Sequence, residues 1–258
     1  MLEDRLRSRR DAGHKLFAPF ASAGLGPWQD VVRAYADAGA DAIEIGVPFS
    51  DPVMDGPTIQ LASDRALAAG TNLPAVLDEL GRLDVEVPLV VMTYFNLVFH
   101  HGVERFAAEA RDVGVAGVIL PDVPLEEMAE WEPAASGAGL ETVMLASPLT
   151  PNERLATLCA RSRGFVYGVN LLGVTGERDE LAAASVPLAR RLKATTDLPV
   201  LMGFGISNPD QAARAAAESD GVVVASALVR LVLDGADAVE VGKRAAEFRS
   251  ALDGLAGS

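Results

Sequence analysis

Short runs of branched apolar residues recur along this chain at intervals of about 20 to 45 residues, and most are followed by apolar positions at helical spacing, the pattern of repeated β-α units. Eight strands are predicted: Leu16 to Ser22, Ala42 to Val47, Leu89 to Tyr94, Gly117 to Leu120, Glu141 to Ala146, Phe165 to Val169, Val200 to Gly203 and Gly221 to Ala225. Between the first two, Trp28, Val31, Val32 and Tyr35 fall on one helical face, while Asp30, Arg33 and Asp37 face water. Gly39 ends that helix. Another helix opens at Asn208-Pro209-Asp210, with a capping side chain, a first-turn proline and an acid at the positive dipole end. Eight parallel strands with helical crossovers close more naturally into a (β/α)8 barrel than into an open sheet of that size. No Pro/Gly/Ser-rich linker divides the chain. The expectation is an α/β protein, one TIM-barrel domain over residues 1–258 with an N-terminal helical extension.

Length alone does not decide this, because 258 residues also fit two small domains. With half its residues hydrophobic and 22% charged, the chain has the composition of a soluble globular protein. A net charge of −14 argues against nucleic acid or an anionic membrane as partner, yet leaves room for a local pocket that takes an anionic metabolite. The one cysteine, Cys159, excludes an intramolecular disulfide framework, points to a reducing compartment, and reads as packing on a helix. The start, MLEDRLRSRR, lacks the apolar core of a signal peptide, and no later stretch has the apolar length of a membrane span, so a cytoplasmic location is expected. His14, His100 and His101 recur with no metal-ligand spacing, and His100-His101 reads as a solvated turn before Gly102. No metal site is expected.

The most informative stretch is Ile43 to Thr58, IEIGVPFSDPVMDGPT, which places Glu44 inside an apolar strand and Asp55 in the loop after it. Burial disfavours the ionised form of Glu44 and raises its pKa, which lets a carboxyl give and take protons near neutrality. Asp55, before Gly56-Pro57, has the turn chemistry of a loop where solvent or hydrogen bonds keep it ionised. Two carboxyls in unlike environments suit two roles. The competing readings are a buried ion pair for Glu44 and a plain turn former for Asp55. In a barrel, both lie where catalytic groups come from, at the carboxyl ends of strands and the loops beyond.

Three later loops suit an anion. FVYGVNLLGVTG runs from the sixth strand into a loop with Gly173 and Gly176, and the next two strands end in MGFGISNPD and VVVASALVR. Loops after the last strands of a barrel, with a helix N-terminus, hold phosphate through backbone amides, which fits an acidic chain. The candidate donors are the amides around Gly176, Gly205, Ala225 and Ser226, with the Ser226 hydroxyl, whereas Met202, Val222, Val223 and Val224 read as barrel packing.

The motifs IEIGVPFSDPVMDGPTIQ, MTYFNLVFHHG, ILPDVPLEE, GVTG and MGFGIS follow one another from about Phe17 to Val232, and in that order and spacing the chain resembles the tryptophan synthase alpha subunit family. The resemblance implies a (β/α)8 lyase that cleaves indole-3-glycerol phosphate to indole and glyceraldehyde 3-phosphate, without metal or organic cofactor. It implies that Glu44 is the acid/base residue and that Asp55 meets the indole N–H. It places Tyr94, Asn96, Asp122 and Tyr167 around the substrate and Phe20 on the indole cleft, and it implies a beta subunit as partner. The chain departs from the family pattern at Ser22 to Pro27, where Leu25 stands in place of an acid, at Glu177 after GVTG, and at Ala225 in place of glycine. Three readings follow: an alpha subunit docked on a beta subunit, a stand-alone paralogous lyase acting on this or a related aryl glycerol phosphate, and a non-catalytic regulatory barrel. The intact pair Glu44 and Asp55 argues against the third.

Overall fold

In the computed structural model of the chain the described residues are 1–169, 178–203 and 205–255, the side chains of 178–185 excepted. Eight strands, β1 Leu16–Ser22, β2 Ile43–Gly46, β3 Leu89–Met92, β4 Val115–Ile119, β5 Glu141–Ala146, β6 Val166–Val169, β7 Val200–Gly203 and β8 Gly221–Val224, pair in parallel and in sequence order. The circle closes where β1 pairs β8, Leu16 against Gly221 through Pro19 against Val224. The eight predicted strands are all present, three of them with the predicted bounds. The others shift at their ends: β2 is shorter by one residue at each end, and β4 starts at Val115 and stops at Ile119. Tyr94 lies beyond β3, as the residue before the helix Phe95–His101.

Alternation along each strand sorts the core into two parts. Leu16, Ala18, Val90, Ile119, Val143, Tyr167, Leu201 and Val223 gather inside the barrel. Phe17, Ile43, Ile45, Val91, Val118, Val166, Val200 and Val222 pack outward with the helices. Because Ile43 and Ile45 face outward, Glu44 between them faces the barrel interior.

The helix Trp28–Asp37 buries Trp28, Val31, Val32 and Tyr35, as its spacing predicts, and Gly39 after it has φ +86°. Asn208 caps Pro209–Ala217 by accepting from the Gln211 amide at 3.0 Å. The N-terminal extension is the helix Leu2–Asp11, whose Leu2 and Leu6 are fully buried against the barrel's N-terminal end. Glu141 at the start of β5 accepts from the Glu3 amide at 2.8 Å. Asp41 before β2 binds the Phe17 amide, Arg9 and Arg249. That end is thereby plugged, and the described part of the barrel opens at the carboxyl ends of its strands.

One expectation is corrected here. His100 and His101 do not form a solvated turn but close the helix Phe95–His101, and the His101 side chain, 7% exposed, sits 2.7 Å from Glu109. The spacing to Glu109 spans a helix break at Gly102, which local turn rules do not see. Cys159 is buried in the helix Asn152–Arg161, where burial pushes its thiol up to about 11 and leaves it unreactive. No helix among the described residues is long and apolar enough to cross a membrane.

Candidate active site

Glu44 stands on β2 with its side chain inside the barrel, 3% exposed, and its Oε2 has no hydrogen-bond partner among the described residues. No cation among the described residues offsets this burial: desolvation first, and the charge of Asp55 second, push the carboxyl up to about 8. The ion-pair reading of Glu44 therefore has no counterpart among the described residues. At pH 7 Glu44 holds its proton, and it can lose it to a modest base.

Asp55 belongs to the loop between β2 and the helix Pro57–Ala68. Its amide donates to Pro52 O at 2.9 Å and its carbonyl accepts from Gln60 Nε2 at 2.9 Å, so the backbone is held on both sides. The carboxyl is half-buried. Burial raises it to about 6, and the nearby Tyr94 hydroxyl draws it down. Its pKa is raised rather than ordinary, and lies below that of Glu44. The two carboxyls titrate as a coupled pair, with Asp55 losing its proton first.

Aromatic residues enclose the pair. Phe20 on β1 is in register with Glu44, and its ring lies across Gly46, where an added Cβ would come within 2.1 Å of Phe20 Cζ. Tyr167 on β6 lies in the same way across Gly203 of β7, and both Glu44 and Asp55 act on its hydroxyl by charge. Tyr94 accepts from the Met54 amide at 3.0 Å, and the Phe49 ring stacks on it at 4.9 Å. Asp122, in the loop after β4, accepts from the Phe95 amide at 3.0 and 3.2 Å and borders an open cavity of about 400 Å³ with Met54, Leu145 and Arg154. Asn96 is exposed on the first turn of Phe95–His101, and no hydrogen bond among the described residues joins it to the carboxyl pair.

Of the anion-binding candidates, Gly205, Ala225 and Ser226 follow the neighbouring strands β7 and β8, which pair Leu201 with Gly221 and Met202 with Val222. Gly205 has φ +47°, and the helix Ser226–Leu233 starts with no side-chain cap, leaving its first amides for an external acceptor. Gly176 and Glu177 lie outside the described residues. Leu25, the departure in the first loop, is buried with Phe20, Ile59, Ala62 and Val229. A hydrophobe there becomes part of the wall behind Phe20.

A family model described as tryptophan synthase alpha chain matches residues 6–253. The chain belongs to the tryptophan synthase alpha chain family. It is 46% identical over 243 residues to the tryptophan synthase alpha chain of Geobacter sulfurreducens, covering 92% of each. It is 42% identical over 238 residues to that of Methanosarcina mazei, covering 92% of this chain and 87% of the other. Among solved structures, a chain of Mycobacterium tuberculosis tryptophan synthase superposes with TM-score 0.88 at 32% identity, covering 97% of this chain and 98% of that one. The alpha subunit from Legionella pneumophila gives 0.87 at 31%, covering 98% of each.

As a member of the tryptophan synthase alpha chain family, this chain is a lyase of tryptophan biosynthesis that cleaves indole-3-glycerol phosphate to indole and glyceraldehyde 3-phosphate. Gly46, Gly203 and Phe49 escaped sequence reasoning as parts of this site. A glycine inside a strand is a signal of close approach by another group, and it was available at both glycines.

Proposed function

We propose that Glu44 and Asp55 divide the proton transfers of this cleavage between them. The neutral Glu44 carboxyl donates to indole C3 while the Asp55 carboxylate accepts from the indole N–H, giving the C3-protonated tautomer. The Glu44 carboxylate so formed then takes the proton of the hydroxyl on the carbon attached to C3. The carbon-carbon bond breaks, its electron pair enters the ring system, and the ring nitrogen recovers a proton from Asp55. Aldehyde and indole leave, and both carboxyls end as they began. The observation that carries this reading is the separation of two neighbouring carboxyls, one raised to about 8 and the other to about 6, in a single barrel mouth.

Phe20 and Tyr167 provide flat walls for the indole, and the amides near Gly205, Ala225 and Ser226, with those near Gly176, hold the phosphate. We infer that a beta subunit is the partner, met through the loop before Asp55. Met54 turns back onto Tyr94 there, while Val53 stays 78% exposed at the tip. Leu149, exposed and lining the same cavity as Met54, extends this apolar rim.

Indole release by the purified chain, measured with and without a tryptophan synthase beta subunit, tests both parts. Glu44→Gln and Asp55→Asn should each abolish release, and adding beta should accelerate the wild type but accelerate Val53→Asp less. Fast release by the isolated chain, with no complex in sedimentation, would replace the partnered subunit with a stand-alone lyase.

A further inference from the structure

The loop from Val47 to Gly56 carries Asp55, and its internal bonds, Val53 N to Asp51 O and Asp55 N to Pro52 O, fold it only upon itself. Val47 at its start donates to Met92 O of β3 at 2.9 Å, and among the described residues the side-chain hydrogen bond that reaches the part beyond from another loop comes from the residue at the start of the helix after β3. The Tyr94 hydroxyl accepts from the Met54 amide at 3.0 Å, and the Tyr94 ring stacks on Phe49 at 4.9 Å, so it grips the loop at two points on either side of its exposed tip. Tyr94 is itself 2% exposed and immediately precedes a helix that no side chain of its own caps. The first amide of that helix, Phe95 N, is taken by both oxygens of Asp122 from the loop after β4.

We propose that Tyr94 is a positioning residue that fixes both the place and the ionised state of Asp55, and that Asp122 acts through Tyr94 by anchoring the turn on which it stands. The proposal rests on the proton-transfer role given above to Asp55. A phenol oxygen that accepts from a backbone amide keeps its own hydrogen for donation, and Asp55, next in sequence to the Met54 whose amide Tyr94 accepts, is the carboxylate whose charged form the hydroxyl favours. Burial, Asp55 and Asp122 all raise the Tyr94 pKa, so the hydroxyl stays a donor throughout the working range. The other groups facing Asp55 are Glu44 from β2 and Tyr167 from β6. Glu44 is neutral at pH 7 and Tyr167 does not ionise there, which leaves Tyr94 as the side chain among the described residues that favours the charged form of Asp55.

Tyr94→Phe isolates the hydroxyl, since a phenyl ring stacks on Phe49 equally well. In the full chain, kcat for indole release should fall at least ~10-fold at pH 7 with KM changed much less, since misplacement of a reacting group costs rate rather than binding. The acid limb of the pH profile should move to higher pH, with partial recovery of rate as pH rises. Asp122→Asn keeps an acceptor for Phe95 N and should keep the wild-type limb. Asp122→Ala should move the limb in the same direction as Tyr94→Phe, and the double variant no further. Carbon-13 titration of the Asp55 carboxyl in substrate-free protein reads the same shift without turnover, and serves if either variant is too weak to assay. An unmoved Asp55 titration in Tyr94→Phe, or a rate loss equal at every pH, overturns the proposal. Asp55→Asn separates this failure from failure of the underlying reading: wild-type rates there would remove Asp55 from the chemistry, whereas an inactive Asp55→Asn beside an unmoved titration removes only Tyr94.

Discussion

The ring of Phe20 on β1 occupies the space that a side chain at Gly46 on β2 would need, two residues beyond the Glu44 with which Phe20 is in register. Phe20 is 2% exposed and packed against Leu25, Ile59 and Val229, so it has no free direction in which to retreat. Gly46→Ala should therefore displace the ring, with an overpacking cost of about 1–3 kcal/mol. Thermal melting should fall by several degrees, and kcat/KM for indole-3-glycerol phosphate should drop at least ~10-fold as the wall moves into the cleft. Combining Gly46→Ala with Phe20→Leu should restore most of the melting temperature. Failure of that rescue would place the strain elsewhere.

This contact illustrates what can and cannot be read from the sequence. Alternation in runs such as Ile43-Glu44-Ile45 suffices for the barrel: the two branched apolar residues put Glu44 inside, and helix spacing places Trp28, Val31, Val32 and Tyr35 against the sheet. Local chemistry likewise suffices for the Asn208 cap. The seating of Phe20 on Gly46 and of Tyr167 on Gly203 depends on the stagger between neighbouring strands, which no single strand encodes. The same holds for Asp122, whose tie to Phe95 joins two loops 27 residues apart, and for His101 with Glu109. Asp55 reads as an exposed turn residue locally, and only the assembled mouth, which buries its carboxyl, raises its pKa.

The split between the two carboxyls gives the pH dependence a shape. With the proton transfers divided as proposed, cleavage requires Asp55 ionised and Glu44 protonated, so kcat/KM should be bell-shaped. It should fall as pH drops below about 6, where Asp55 takes up its proton, and as pH rises above about 8, where Glu44 loses its own. Steady-state assays from pH 5 to 9.5, run at constant ionic strength, would test this. A rate that keeps rising to pH 9.5 would mean that Glu44 is not needed in its neutral form.

Glu44 also costs stability, and the sign follows from its titration. Below about 4.5, its ordinary value, the carboxyl is neutral in both folded and unfolded chains and costs nothing. Between about 4.5 and 8 the unfolded chain ionises and the folded one does not, so stability declines as pH rises, and above about 8 the decline is complete. Glu44→Gln removes this penalty, which is roughly 3 kcal/mol at pH 7 before relaxation of the site. The variant should melt higher than wild type at pH 8, by an amount that shrinks towards pH 4.5, while indole release falls at least ~10²-fold. A difference in melting temperature that does not vary with pH would show that packing, not titration, sets it.

The phosphate end of the substrate can be tested without touching the carboxyls. The helix Ser226–Leu233 begins uncapped beside the end of β7, and Gly205 holds a left-handed turn that brings backbone rather than side chain to the mouth. A phosphate received there by amides should bind despite the chain's net charge of −14, because the interaction is local and the amides carry no counter-charge to screen. Glycerol phosphate should therefore compete with substrate, and unphosphorylated glycerol should not. Ser226→Ala removes one hydroxyl and leaves the amides, so calorimetric binding of glycerol phosphate should weaken by about 0.5–1.5 kcal/mol. Substituting proline for Ser226 removes the amide itself and should weaken binding further than the alanine variant. If glycerol competes as well as its phosphate ester, the amides at Gly205, Ala225 and Ser226 do not hold the substrate, and another part of the barrel mouth must.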